Sequence, residues 1–503
     1  LNPTISRTQC IAYRHFISLS LTLASILGIN CNLIVGGKAA EVQHSGTNGN
    51  RPNIIVLMCD DLGYGDLSCY GHEILKTPNI DQLAEVGVRF TDGYSAAPVC
   101  SPSRAGMLTG RDPHRAGIYD WIAGGSTHLR NAEITYAELL KEVGYDTMLA
   151  GKWHLNGRFN QPDRQPTPGD QGFDHWFATA NNAAPNHRNP SNFVRNGERV
   201  GKTSGFSSSV VVREALNWLE ARRKKESPFL ALLTFHEPHT PVASPQDLIE
   251  EYSPHETTPG QAIYWANIAQ VDKAVGDLVA GLKNMGLYTN TLIVFTSDNG
   301  PEEWMRYPAC RLQHGSVGPL RGHKLDVFEG GIRVPFIVSW PAGIGGGRLS
   351  KSAVSSLDLL PTFAALAGTK ARKELALDGC DLSEHLTMGA EVVREKPLFW
   401  FYYAARGYAN FAMRDGEYSL IARRTGSLFY PGLPVSHDDR FPVINSCRPR
   451  SHELYNFNQD SRQVIDIKRQ DPELFERMRT NLEDRWKDIK TDLVDWNTKQ
   501  KAK

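Results

Sequence analysis

The sequence predicts an α/β fold in which a large, mainly parallel or mixed β-sheet is sandwiched by helices and followed by a smaller C-terminal antiparallel sheet plus helix. Three observations predict it. Short apolar runs, "NIIVLM" at 53–58 and "TLIVF" at 291–295, lead to Asp60-Asp61 and Asp298-Asn299-Gly300, the pattern of buried strands feeding loops. Segments of helical periodicity separate such runs, the alternation of a sheet covered on both faces. After about residue 395 the texture changes to "LFWFYY" and "NFAMRDGEYSLIARR", alternating runs around an Asp415-Gly416 turn that reads as a hairpin.

The elements follow in chain order. Arg7 and Arg14 precede the apolar run "FISLSLTLASILGI" at 16–29, the layout of a secretory signal peptide; an uncleaved membrane anchor is the alternative, although Ser and Thr dilute the run below a good span. Polar "KAAEVQHSGTNGN" then reads as a linker. The expected organisation is a signal peptide and linker over 1–40, a catalytic domain over 50–395 and a C-terminal subdomain over 396–503. Helices are expected in "NIDQLAEVGVRF", "YAELLKEVG", "SSVVVREALNWLEARRKKE" and "ANIAQVDKAVGDLVAGLKNMG", and further strands in "PFLALLTFHEPH", "VPFIVSWP" and just before Lys152. Asp471-Pro472 opens a last helix, with Leu474, Phe475, Met478, Leu482 and Trp486 at helical spacing.

Composition excludes several functions. Lys+Arg and Asp+Glu are both 55, so no global charge draws the chain to nucleic acid or an anionic membrane. Of eight cysteines, Cys10 and Cys31 fall in or beside the segment expected to be removed, and the remaining six show no CxxC pair and no regular spacing. Disulfides are not the scaffold of this fold.

Ligands of open α/β sheets collect at the carboxyl ends of strands, which here carry Asp60, Asp61, His236, His239, Asp298 and Asn299. Asp60, Asp61, Asp298 and Asn299 offer oxygen donors only, which suits a hard cation, calcium before magnesium; solvated loop carboxylates are the ordinary alternative. In "VCSPSRAGMLTGR" at 99–111, Ser101 reads as an N-cap and Pro102 as the first helical residue, with the helix running to about Leu108 and stopped by Gly110. Cys100 then faces the positive helix end with Arg104 within reach, a setting that lowers a thiol pKa; a buried or disulfide-bonded cysteine stays open. Alternation places Lys152 and His154 of "GKWHLNG" on one side, against the reading of a surface lysine and a core histidine. Lys324 lies in the Gly-rich "GPLRGHKLDVFEGGIRVP".

Taken together and in order, "DDLGYGD", "CSPSRAGMLTGR", "GKWHLNG", "PHTP", "SDNG" and "GHK…EGGIRVP" resemble the type I sulfatase family of the alkaline phosphatase superfamily, in particular its arylsulfatase A-like and N-acetylgalactosamine-6-sulfatase-like members. The resemblance covers nearly the whole chain from about Arg51. It implies an alkaline phosphatase-like fold and a sulfuric ester hydrolase. Cys100 would be oxidised to Cα-formylglycine by a formylglycine-generating or sulfatase-maturating enzyme, its gem-diol serving as nucleophile. One calcium ion would be held by Asp60, Asp61, Asp298, Asn299 and the modified Cys100. Arg104, Lys152 and His154 would position the diol and sulfate oxygens, and Lys324 and His239 would reach the sulfate and the leaving oxygen. His239 is preferred to His236 as acid because it is the histidine of "PHTP". Asn182 falls where relatives often carry another polar sulfate contact, in a region that departs from the family pattern.

The expected substrate is a sulfated small molecule or glycan, met outside the cytoplasm by a secreted or periplasmic protein with no stable membrane span. Trp121, His187, Arg188, Trp400 and Tyr402 are the residues expected to line a carbohydrate site. Two other readings compete: a phosphonate monoester hydrolase or phosphodiesterase with the same nucleophile, and a non-catalytic glycan-binding relative. A cysteine hydrolase lacks a triad pattern and leaves the carboxylates unexplained.

Overall fold

A computed structural model describes residues 51–159, 161, 165–425 and 440–497; the signal-peptide and linker expectation, with Cys10 and Cys31, lies outside them. Ten strands form one mixed sheet in the order Arg348–Ser350, Gly87–Phe90, Phe336–Ser339, Thr291–Ser297, Asn53–Asp60, Phe229–Pro238, Asp146–Lys152, His175–Thr179, Val194–Arg195 and Glu198–Arg199. The middle of the sheet, from Thr291–Ser297 to His175–Thr179, is parallel throughout. Its central strand shows why the apolar run is continuous. Ile54, Val56 and Met58 enter the core on one face, and Ile55, Leu57 and Cys59 enter the core on the other. Both faces are dry, which accounts for the unbroken apolar run from Ile54 to Cys59 before the strand ends at Asp60.

Helices Cys100–Thr109, Tyr136–Glu142 and Leu359–Leu366 cover the first face, and Pro78–Glu85, Ser207–Ala221 and Gln261–Asn284 the second. "VPFIVSWP" forms the expected strand, antiparallel to Thr291–Ser297, one of the pairings that make the sheet mixed. One local expectation changes. "NIDQLAEVGVRF" is not one helix: it ends at Glu85 and "GVRF" becomes a strand beside Phe336–Ser339. Gly87 permits that pairing, because a Cβ there would meet the Val338 carbonyl oxygen at 2.3 Å.

The second sheet is an antiparallel meander of Leu398–Phe401, Phe411–Asp415, Tyr418–Arg424 and Pro449–Asn456, turned at Gly416 with φ of 55°. Helix Pro472–Lys490 starts as expected, with the Asp471 carboxylate accepting from the Leu474 amide at 3.0 Å. It buries Leu474, Met478, Leu482, Trp486 and Ile489 in the core that also holds Phe401 and Phe411; Phe475 stays half-buried. No helix among the described residues is long and apolar enough to cross a membrane, and Cys59, Cys69, Cys100, Cys310, Cys380 and Cys447 are all free thiols.

Asp378 ties the C-terminal helix to the segment that follows the Cys100 helix. Its carboxylate accepts from Arg115 at 2.9 Å, Arg485 at 2.9 Å and the Asp112 amide at 2.7 Å. Burial alone would raise its pKa, yet Arg115 and then Arg485 hold it down at about 2. Asp378→Ala removes the buried carboxylate the two guanidiniums share, leaving Arg115 with Asp488 and Asp492 and Arg485 with Asp488, and is expected to cost about 1–3 kcal/mol at neutral pH. Because the folded pKa lies below the unfolded one, the contribution is complete above about pH 4 and fades as pH falls toward 2. Denaturant melts of both proteins at pH 7 and below pH 3 check this: the gap should narrow in acid.

Candidate active site

The site forms where the central strands end. Asp60 closes the Asn53–Asp60 strand, Asp61 follows in the left-handed region at φ of 66°, and Asp298 and Asn299 follow Ser297 on the neighbouring strand. Asp66 fixes the loop between, accepting from the Gly63 amide at 2.7 Å, the Ser316 amide at 2.8 Å and the Tyr264 hydroxyl at 2.9 Å. Asp66 was not singled out in the sequence, where "DDLGYGD" enters as one of the motifs of the resemblance.

Cys100 begins the Cys100–Thr109 helix and lies buried. The cap differs from expectation: Val99 is the N-cap, without a side-chain cap bond, and the Ser101 hydroxyl instead accepts from the Ile122 amide at 3.0 Å. Gly110 does stop the helix, its amide bonding the Gly106 carbonyl. The thiol pKa is not lowered. Burial pushes it up to about 11, against the pull of Lys152 and Lys324. A helix terminus contributes about 2 kcal/mol at most, less than the several pKa units that full desolvation imposes. In this pocket the unmodified cysteine is a protonated thiol, and neither a disulfide nor a thiolate.

Three cations interlock with the three carboxylates. Arg104 donates to Asp298 Oδ2 from Nε at 3.0 Å and Nη2 at 2.7 Å, and lies 3.7 Å from Asp60. Lys152 Nζ donates to Asp60 Oδ2 at 2.6 Å and Asn182 Oδ1 at 3.3 Å. Lys324 Nζ meets Asp61 at 2.7 Å. Burial alone would raise Asp60, yet Lys152, with His239 and Arg104, holds it well below the usual carboxylate range. Asp61 moves the other way, to about 7, because burial outweighs Lys324 and Asp60 and Asp298 repel its charge.

Two buried acceptors here have no hydrogen-bond partner: Asp60 Oδ1 and Asn299 Oδ1. Leaving such atoms unmatched is costly, and a hard cation is the partner that oxygen donors of this kind fit. Asp60, Asp61 and His239 also present ligand atoms within 4.8 Å of one another.

The histidines separate by their bonds. His154 follows the strand in the left-handed region, φ 57°, so a turn rather than strand alternation brings it in; Nε2 donates to the Ile122 carbonyl at 3.0 Å and Nδ1 is unpartnered. Burial, then Lys152, keeps it neutral. His239 Nδ1 donates to the Thr240 carbonyl at 2.6 Å, and Nε2 faces Asp61 at 3.6 Å. His236 has both ring nitrogens engaged, by the hydroxyls of Thr179 and Ser207, each at 2.7 Å. Asn182, on a segment that reads as a departure from the family pattern, is brought in against Lys152.

The residues expected to line a carbohydrate site divide. Trp400 and Tyr402 are buried and hydrogen-bonded to the Ser95 carbonyl and Asp120, and His187 is buried beside Asn267, so none of the three presents a surface to a sugar. Arg188 is exposed. Trp121 is 45% exposed although both neighbours are anchored: Asp120 accepts from Tyr402 and Tyr403, and Ile122 is tied to Ser101 and His154.

Residues 52–369 match the family model described as Sulfatase. The chain is 34% identical over 421 residues to N-acetylgalactosamine-6-sulfatase of Rattus norvegicus, covering 76% of each chain. It is 36% identical over 401 residues to arylsulfatase A of Homo sapiens, covering 75% of this chain and 76% of that one. A crystal structure of Ps i-CgsB in complex with k-i-k-neocarrahexaose superposes with a TM-score of 0.74 at 27% identity, covering 89% of this chain and 94% of that one. The phosphonate monoester hydrolase of Agrobacterium radiobacter, at 18% identity and a TM-score of 0.59 over 88% of this chain and 96% of that one, shares the fold.

Proposed function

The chain belongs to the sulfatase family and is a sulfuric ester hydrolase, and from that premise we propose that it removes sulfate from a carbohydrate at Cys100, converted after synthesis to formylglycine. The observation that carries this reading is the buried cluster of Arg104, Lys152 and Lys324 interlocked with Asp60, Asp61 and Asp298 around Cys100. Fixed cations in a dry pocket stabilise charge on transferring sulfate oxygens far better than in water.

Asp60, Asp61, Asp298, Asn299 and the converted Cys100 would hold one calcium ion, whose chemistry is to set positive charge against the sulfate oxygens. The converted Cys100, hydrated, would supply a hydroxyl nucleophile toward sulfur and a second hydroxyl whose proton loss would let the C–O bond to sulfate break and restore the aldehyde. The chain's own groups do the rest. His154 Nδ1, unpartnered and buried, accepts a hydrogen bond from the hydrate. Arg104 and Lys152 orient the hydrate and the sulfate, and Lys324 reaches the oxygens on the leaving side. His239, anchored through Nδ1, protonates the departing alcohol from Nε2. Burial, then Lys324, holds its free imidazole neutral, so the acid form is reached with the anionic substrate bound. On this reading the catalytic domain is 50–395 and 396–503 is a supporting subdomain. A formylglycine-generating or sulfatase-maturating enzyme is the partner, and the reading places the protein in a secreted or periplasmic setting.

The carbohydrate preference draws support from the relatives, one named for N-acetylgalactosamine 6-sulfate and one solved with a neocarrahexaose. Trp121, half-exposed next to the Ile122 that bonds Ser101 and His154, is a ring this chain offers to a sugar. Trp121→Ala is expected to raise KM for a sulfated oligosaccharide about threefold to tenfold, the worth of one aromatic contact, and to leave a small aryl sulfate nearly unchanged. Side-by-side kinetics on both substrates check it. Comparing an aryl sulfate with an aryl phosphodiester tests the reaction class: a dominant phosphodiester rate would favour the phosphonate monoester hydrolase reading.

A further inference from the structure

Two residues from each other on the Phe229–Pro238 strand, Thr234 and His236 both point toward Lys152. Thr234 Oγ1 donates to the Lys152 carbonyl at 2.8 Å. His236 acts at one remove. Its Nε2 lies 2.7 Å from Thr179 Oγ1, and that hydroxyl donates its hydrogen to the Asn181 carbonyl at 2.5 Å. The Thr179 oxygen is therefore the acceptor and His236 Nε2 carries the proton. Nδ1 in turn accepts from the Ser207 hydroxyl at 2.7 Å. This fixes one neutral tautomer with both nitrogens used, all of it buried.

The segment so pinned is hydrogen-bonded to the stretch that carries Lys152 and His154. The Thr179 carbonyl accepts from the Trp153 amide and the Ala180 carbonyl from the His154 amide, each at 3.0 Å. Asn182 Oδ1 accepts from Lys152 Nζ, and the Asn182 carbonyl is itself held by Asn192 at 2.9 Å. Movement of residues 179–182 therefore moves Lys152 and His154 together. We propose that His236 is a positioning residue, whose Nε2–H fixes Thr179 and through it the 179–182 segment that sets Lys152 and His154 against Cys100. The proposal rests on the sulfatase reading of the site. It assigns a task to the histidine that competes in sequence for the acid role.

The geometry sets a test that separates the two tasks. A glutamine amide can reproduce the Nε2–H donor and an asparagine cannot. His236→Asn and Thr179→Val are each expected to lower kcat on an aryl sulfate about 10- to 100-fold, with His236→Gln within about threefold of the native protein. The double variant His236→Asn/Thr179→Val is expected to be no more than about threefold worse than His236→Asn alone, since both break one connection. The losses should be equal for aryl sulfates of acidic and basic leaving phenols. A loss that grows with phenol basicity would make His236 the acid and overturn the proposal, as would equal losses in the Asn and Gln variants with Thr179→Val at the native rate. If His236→Asn fails to fold, Thr179→Val against native protein decides alone. Failure of the sulfatase reading shows separately, as native protein that turns over no sulfate ester.

Discussion

Cys100→Ala is expected to lower kcat on a sulfate ester by about 10⁴-fold or more, the loss typical of removing a nucleophile that no neighbour replaces. The side chain is small and buried at a helix start, so removing its sulfur should cost only about 1 kcal/mol of stability. Melting temperature should stay close to native, and calcium should still bind through Asp60, Asp61, Asp298 and Asn299, more weakly for want of the converted side chain. Steady-state kinetics beside thermal melts separate this outcome from its main rival. A non-catalytic glycan-binding protein would show no turnover before the change and unaltered glycan affinity after it. An unmodified thiol nucleophile is a poor rival, because burial holds Cys100 protonated at neutral pH.

The second large effect is expected at Asp60. Its Oδ2 holds the Lys152 ammonium and its Oδ1 is an unmatched buried acceptor, so one side chain serves both the cation cluster and the calcium site. Asp60→Asn keeps an amide oxygen for Lys152 but removes the carboxylate charge that compensates this buried ammonium, at a cost of about 3–5 kcal/mol. In native protein, calcium at about 100 times its Kd should add about 2.7 kcal/mol of stability; the variant should lose most of that increment together with activity. Calorimetry with and without calcium measures both. If calcium leaves the native melting temperature where it was, the carboxylates are counter-ions to Arg104, Lys152 and Lys324 and the calcium assignment is wrong.

Much of this was legible in sequence because the physics is local. A strand buried on both faces is mostly apolar, so "NIIVLMC" and "TLIVF" announce both the sheet and the place near which Asp60 and Asp298 emerge. Asp471-Pro472 and the Leu474 to Trp486 spacing likewise dictate the last helix. The strand within "NIDQLAEVGVRF" escaped because its pairing is decided by Phe336–Ser339, far along the chain, and a short apolar run looks alike in either state. The N-cap of the Cys100 helix was misplaced for a related reason: the Ser101 hydroxyl is taken by Ile122, a tertiary partner that local capping rules do not see.

At the site, residue types were legible and their bonding was not. The sign of the Cys100 shift turned on burial, which no local pattern reports. The separation of His236 from His239 rests on Thr179, Ser207 and Thr240, two of them remote in sequence. Trp400 and Tyr402 look like sugar-binding aromatics, yet they are core residues whose polar tips found the Ser95 carbonyl and Asp120.

The central claim is that Cys100 is a precursor. Mass spectrometry of tryptic peptide 90–104 from active native protein tests it most directly. The account predicts a mass about 18 units below that of the cysteine peptide, the change from a thiol side chain to an aldehyde. Fully active protein carrying only unmodified Cys100 would contradict it.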